Sequence, residues 1–172
     1  MRPDVVSDLT GGPMRRISVS MRILLYIIAA LVVLTIAAAV FVRLAPIDVA
    51  RWHVDPETVT PPTTPNFSLI AGGGATSIDA PALAVAGRLQ DIAEAEGARV
   101  LAGSLGEGFV TYVVRSRVMG YPDFISIRLV PEGDTTRMHI FSRSRYGYSD
   151  LGVNTVRVHR WLTAARGEEG GE

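Results

Sequence analysis

FVTYVVRSRVMGYPDFISIRLVPEGDTTRMHIFSRS, residues 109–144, carries three strand-like segments in succession. Residues 109–118, 124–130 and 135–144 alternate apolar and polar side chains with the period of two that a half-buried strand requires, and a shorter segment, 99–102, precedes them. The connections at 103–108, 120–123 and 131–134 are short and rich in Gly, Pro and Asp, so the segments are predicted to form a four-stranded antiparallel meander. One parity collects Val110, Tyr112, Val114, Ile125, Ile127, Leu129, Met138 and Ile140, a core face. The other collects Arg115, Arg117, Arg128, Arg137, His139, Phe141, Arg143 and Arg145, predicting an Arg-rich face left open to solvent.

Helical patterns flank the meander. Asp79 is placed to cap a helix whose first turn holds Pro81, and Leu83, Ala86, Leu89, Ile92 and Ala93 recur at helical spacing before Gly97. Arg88, Asp91 and Glu94 fall toward its solvated side. A second helix at residues 153–165 offers Val158, Trp161, Leu162 and Ala165 to the core. The reading is an α+β two-layer sandwich at 76–166, ordered helix, four strands, helix, with both helices on one face of the sheet.

Upstream, residues 23–42 (ILLYIIAALVVLTIAAAVFV) form an uncharged run long enough as a helix to cross a hydrocarbon core of roughly 30 Å. Arg2, Arg15, Arg16 and Arg22 precede it, whereas Arg43 and Arg51 follow it in company with Asp48 and Asp55. The positive-inside bias then places the tail at 1–22 in the cytoplasm and everything beyond about residue 43 across the membrane, in a bacterium the periplasm. A cleaved signal peptide ending at Ala37-Ala38-Ala39 is the rival reading; apolar residues continuing through Val42 favour an anchor. Met14 and Met21 offer alternative starts.

Between span and sandwich, residues 43–75 read as a linker. The stretch DPETVTPPTTP at 55–65 is a semi-extended spacer holding the domain off the membrane, and Gly72-Gly73-Gly74 is a flexible turn. Asn66-Phe67-Ser68 matches a glycosylation pattern by accident in a bacterial protein. Residues 167–172 read as a disordered tail.

Composition excludes several classes. Cysteine is absent, removing disulfides and thiolate chemistry, and every one of the 17 Lys+Arg residues is Arg. Residues 1–51 hold six Arg against three Asp, a charge of +3, while residues 52–172 hold eleven Arg against fourteen acids, a charge of −3. A slightly acidic exported domain is a poor nucleic-acid binder. No His pair has zinc-ligand spacing, and no cofactor is implied. Ser149, Asp150 and His159 raise hydrolysis, but Gly147-Tyr148-Ser149-Asp150-Leu151-Gly152 lacks the spacing of a nucleophile elbow. Gly103, Gly106 and Gly108 belong to a hairpin loop, not a phosphate loop.

The strand-to-helix junction SRSRYGYSDLGVN at 142–154, with Arg157 beyond it, resembles the signature of the DUF1499 family of bacterial and plastid proteins. Thr111-Tyr112, Arg115-Ser116 and the turn Gly120-Tyr121-Pro122-Asp123 extend the resemblance, which covers about 65–162. Where many members carry Pro-Asn-Cys this chain has Pro65-Asn66-Phe67, and Phe141 stands where an Arg often precedes the Ser pair. The family implies no activity, because its function is not established.

Physically, Ser149, Asp150 or Asn154 can cap the amides that open the last helix. Those amides and the helix dipole attract an anion, which Arg143 and Arg145 can clamp bidentately. Alternatively Asp150 is itself that anion, pairing with Arg145 or Arg157 to lock the turn. The leading expectation is a non-enzymatic, membrane-anchored domain binding an anionic lipid headgroup or acidic envelope component, with Arg115, Arg117, Arg143, Arg145, Ser149, Asp150, Asn154 and Arg157 as the binding residues. A structural domain docking an acidic protein is the alternative, and a small hydrolase using Ser149 the third.

Overall fold

A computed structural model describes residues 18–168. The tail arginines Arg2, Arg15 and Arg16, the starts at Met1 and Met14, and residues 169–172 lie outside the described residues. The chain divides into two compact units between Ala38 and Ala39. Helix α1 (Val19–Leu44) begins in the first and ends in the second. Its 26 residues rise through about 39 Å at ~1.5 Å each, enough to cross a bilayer with tilt. It is the one described helix long and apolar enough to do so, and its large apolar side chains are exposed along the run as far as Phe41, with Val42 buried. The chain is therefore membrane-associated through α1.

In the second unit a short helix α2 (Val49–Trp52) precedes β1 (Phe67–Ile70), a 3₁₀ turn at Gly72–Gly74, β2 (Thr76–Ile78) and helix α3 (Ala82–Ala95). Strands β3 (Arg99–Ser104), β4 (Phe109–Arg115), β5 (Pro122–Glu132) and β6 (Thr135–Ser144) and helix α4 (Val153–Arg166) complete it. The α+β class stands, but the sheet has six strands, not four. The meander β3 to β6 is extended past β6 by β1 and β2, which lie end to end along that edge and pair with it antiparallel. Phe67 faces Arg143 and Ile78 faces Thr136, with the glycine turn bridging the gap between the two strands. Four and three residues are too few for alternation to be read against background.

The predicted core parity packs against the two helices. Val110, Tyr112, Ile125, Ile127, Leu129, Met138 and Ile140 pack with Val158, Trp161, Leu162 and Ala165 of α4 and Val85, Leu89 and Ala93 of α3. Trp161 meets Tyr112 edge-on, ring centroids 5.5 Å apart. Two details of α3 differ from expectation. Pro81, not Asp79, is its N-cap, without a side-chain cap. Leu83 is 86 % exposed, because the later start turns Val85 inward at i, i+4, i+8 with Leu89 and Ala93. Arg88, placed on the solvated side, reaches across to donate to the Ala165 carbonyl near the end of α4 (3.0 Å).

The largest correction concerns the other face. Residues 52–66, which fall within the predicted 43–75 linker and include its 55–65 spacer, lie across it. Trp52 stacks on Phe124 at 4.1 Å, and His53 stacks on Phe109 at 4.0 Å while its Nδ1 meets Thr111 Oγ1 at 2.9 Å. Asp55 pairs with Arg128, Nε to Oδ2 at 2.6 Å. His139, Phe141 and Arg143 are thereby buried, and Arg137 pairs with Glu132. An aromatic surface on the sheet, not a solvated Arg field, is what this segment covers, and burial of those rings supplies the driving force.

Candidate functional site

The last strand delivers Ser142, Arg143, Ser144 and Arg145 to the junction, and α4 begins with Asn154 fully buried beneath it. Asn154 Nδ2 donates to the Asn66 carbonyl and to Ser144 Oγ, both at 3.0 Å. Its Oδ1 accepts from Ser142 Oγ at 2.6 Å and Arg157 Nη1 at 3.1 Å. Asn66 completes the network, its Nδ2 donating to the carbonyls of Gly147 (2.8 Å) and Ser144 (3.3 Å). The Asn-Phe-Ser match thus contains a buried structural asparagine, which joins the chain just before β1 to the turn after β6.

Asp150 occupies the helix N-terminus. Its Oδ2 accepts the Asn154 amide at 2.7 Å and its Oδ1 the Gly152 amide at 3.1 Å. Burial pushes this carboxyl up, but the amide hydrogen bonds outweigh it and hold the group below the usual range. The dipole position is filled internally. The lock differs from the expected pair, however: Arg157 bonds Asp123 (Nη1 to Oδ2, 3.0 Å) and approaches Glu96 at 3.8 Å, rather than Asp150. Ser149 accepts the Leu151 amide at 3.2 Å, and His159 lines a different cavity, beside Leu162 and Arg166. The two do not meet.

The predicted Arg quartet separates. Arg117 is exposed, and Arg115 donates to the carbonyls of Gly120 (2.9 Å) and Val42 (3.4 Å). Arg143 and Arg145 instead line a cavity of about 420 Å³ together with Arg51, Asn66 and Ser144. Arg143 is 5 % exposed. It donates to the Trp52 carbonyl and, at 3.4 Å, to Ser126 Oγ, and its guanidinium lies 4.3 Å from the Phe141 ring centroid. Burial lowers it to about 10. Arg145 lies over the Tyr146 ring at 5.2 Å, and its buried Nη1 has no hydrogen-bond partner. Arg51 lies over Trp52 at 5.4 Å. Among the described residues no carboxylate comes within 4.0 Å of any of the three, while Arg128, Arg137, Arg157, Arg160 and Arg166 all have acidic partners. Arg51 and Trp52 escaped the sequence reading, although an adjacent Arg-Trp-His inside a polar spacer was a visible signal.

The chain belongs to the DUF1499 family, described as "Protein of unknown function", whose match spans residues 45–164. The match starts well upstream of residue 65 and takes in α2 and the covering segment. No curated protein and no solved structure matches the chain.

Proposed function

We propose that this DUF1499 member is a single-pass, membrane-anchored domain that binds an anionic group in the cavity lined by Arg51, Arg143 and Arg145. The observation carrying the reading is Arg143: a guanidinium almost wholly removed from water, without a carboxylate, beside an Arg145 Nη1 that has no acceptor. A buried cation without a counterion costs several kcal/mol, and aromatic faces and one carbonyl offset only part of that. An oxyanion in the cavity meets the free N–H groups of Arg145 and neutralises the cluster. Phosphate-type headgroups have the right charge and acceptor geometry for forked guanidinium donors. The bias of Arg2, Arg15, Arg16 and Arg22 to the near side of the span supports a cytoplasmic N-terminus and a periplasmic domain, where lipid headgroups and acidic envelope polymers are available.

The test is a thermal melt of the full-length protein in neutral detergent with inorganic phosphate as probe, repeated with Arg145→Gln. A ligand at ~100 times its Kd stabilises by about 2.7 kcal/mol, so phosphate should raise the melting temperature of wild type and leave the variant unmoved. Equal response in both proteins, or none in either, overturns the reading.

A further inference from the structure

Arg43 stands one residue past the uncharged run, and its guanidinium is held by a loop from the sheet. It donates to the carbonyls of Val118 (2.7 Å), Met119 (3.0 Å) and Arg117 (3.4 Å). An Arg at the end of a span extends its head to the membrane–water boundary. The loop between β4 and β5 is thereby tied at that level. Its Val118 side chain is 81 % exposed. Next to the same loop opens a groove of about 610 Å³ whose surface is mostly apolar, from Val42, Tyr121, Tyr146 and Val153, and whose two carboxylates, Asp123 and Asp150, are engaged by Arg157 and by the α4 amides. The segment bordering the groove carries Tyr148, 73 % exposed, and Leu151, 94 % exposed.

Leu151 is the telling residue. It has φ +53°, and it is the one non-glycine with positive φ among the described residues. A leucine there strains the backbone where Gly or Asn is usual, and water contact over its whole side chain gives nothing back. The turn itself is held, by the Leu151 amide on Ser149 Oγ and by Asp150 on the amides of Gly152 and Asn154, but within the domain no residue covers the Leu151 side chain. Amphipathic tyrosines beside exposed aliphatic tips, at the level of a span's terminal Arg, are the composition of a headgroup-level surface.

We infer that this end of the domain is a lipid-contacting surface: Val118, Tyr121, Tyr148 and Leu151 enter the headgroup–acyl boundary of the bilayer that α1 crosses, so that the domain rests on the membrane. The occupant is the lipid surface itself, because the groove is continuous with Val42 at the end of the span. The sheet gives an internal reference. β5 runs eleven residues from Pro122, next to the groove, to Glu132, roughly 33 Å of strand. At its far end Thr136 donates to the Ala80 carbonyl (2.8 Å), close in sequence to the exposed Leu83.

The experiment places tryptophan at Val118, Leu151 and, as reference, Leu83, one at a time in the full-length protein, in nanodiscs of phosphatidylethanolamine and phosphatidylglycerol. All three sites are exposed and tolerate the larger ring. Exchange of the acyl chains for brominated ones should remove emission from Val118→Trp and Leu151→Trp beyond the change in wild type, whose Trp52 and Trp161 are buried, while Leu83→Trp stays at the wild-type level. The same losses with Arg145→Gln added keep this result separate from the anion cavity. If either membrane-end tryptophan quenches no more than the one at Leu83, the surface does not rest on lipid.

Discussion

Asp150 Oδ2 accepts the backbone amide of Asn154 at 2.7 Å, so the first turn of α4 is closed by an acid four residues upstream. The next amide bond, from Gly152 to Oδ1, makes the cap bidentate. Removing such a cap costs about 0.5–2 kcal/mol, and Asp150→Ala should lower the melting temperature accordingly. Because the folded carboxyl titrates below its unfolded value, its contribution is whole above the ordinary carboxylate range and is lost as pH falls through the folded value. The stability difference between wild type and Asp150→Ala, measured by urea titration, should shrink on acidification. A difference independent of pH would contradict the cap.

Arg157 and Asp123 form the buried pair that ties α4 to the start of β5, with side chains 9 % and 15 % exposed. Removing Asp123 leaves Arg157 only the longer contact with Glu96, so the cost approaches the ~3–5 kcal/mol of a broken buried pair, whereas replacing both costs less than the sum. Asp123→Asn should therefore destabilise strongly, and Arg157→Met should partly restore stability in the double variant. A double-mutant cycle in urea reads the coupling directly.

Trp52 holds the covering segment to the sheet, 8 % exposed and stacked on Phe124 with ring planes 16° apart. Trp52→Ala should cost about 3–5 kcal/mol and loosen residues 52–66, which brief trypsin treatment would report as new cleavage at Arg51. Unchanged proteolysis with a lowered melting temperature would mean that the segment is held by Asp55, Asn66 and β1 instead.

The meander and its core parity were legible because strands of seven to eleven residues give alternation several chances to repeat. The cover was not legible for the opposite reason. Trp52, His53, Asp55 and Asn66 are separate anchors whose partners lie far away in sequence, and no period connects them. Composition in that stretch, dominated by Pro and Thr, signals only an extended backbone, which a spacer and a strap share. The candidate site followed the same division: Arg143 and Arg145 were found from the strand and the family motif, whereas Arg51 enters only through the fold of the strap. Of the three caps the sequence offers, Ser149, Asp150 and Asn154, Asp150 takes the α4 amides, but Arg157 pairs with Asp123 rather than Asp150, since Asp123 lies 34 residues before Arg157 in sequence and meets it only in space.

Gly120 shows how the Arg43 cage is built. It has φ +76°, and a Cβ there would stand 2.7 Å from Arg43 Cγ, so alanine is opposed by both backbone and neighbour. Gly120→Ala should displace Arg43 and free three loop carbonyls, and Arg43→Ala should free the same three. Each variant should lose about 1–3 kcal/mol, and the double variant little more than either single, because both break one assembly.

Arg143 allows the sharpest test of uncompensated charge. Its folded value, about 10, lies well below that of an ordinary arginine, so the fold disfavours the charged form. The penalty, on the order of 3 kcal/mol, is therefore fully present at neutral pH and is relieved as pH rises through about 10. Arg143→Met keeps most of the side-chain volume and removes the charge, at the expense of the bond to the Trp52 carbonyl. In phosphate-free buffer the variant should match wild-type stability to within about 1–2 kcal/mol near pH 7. Wild type should then gain on it as pH rises past about 10, since only wild type has a penalty left to shed. Added phosphate should open the same gap at pH 7, by supplying the counterion instead of removing the proton. If Arg143→Met is several kcal/mol less stable than wild type without phosphate, the guanidinium is compensated within the protein and the cavity has no need of an anion.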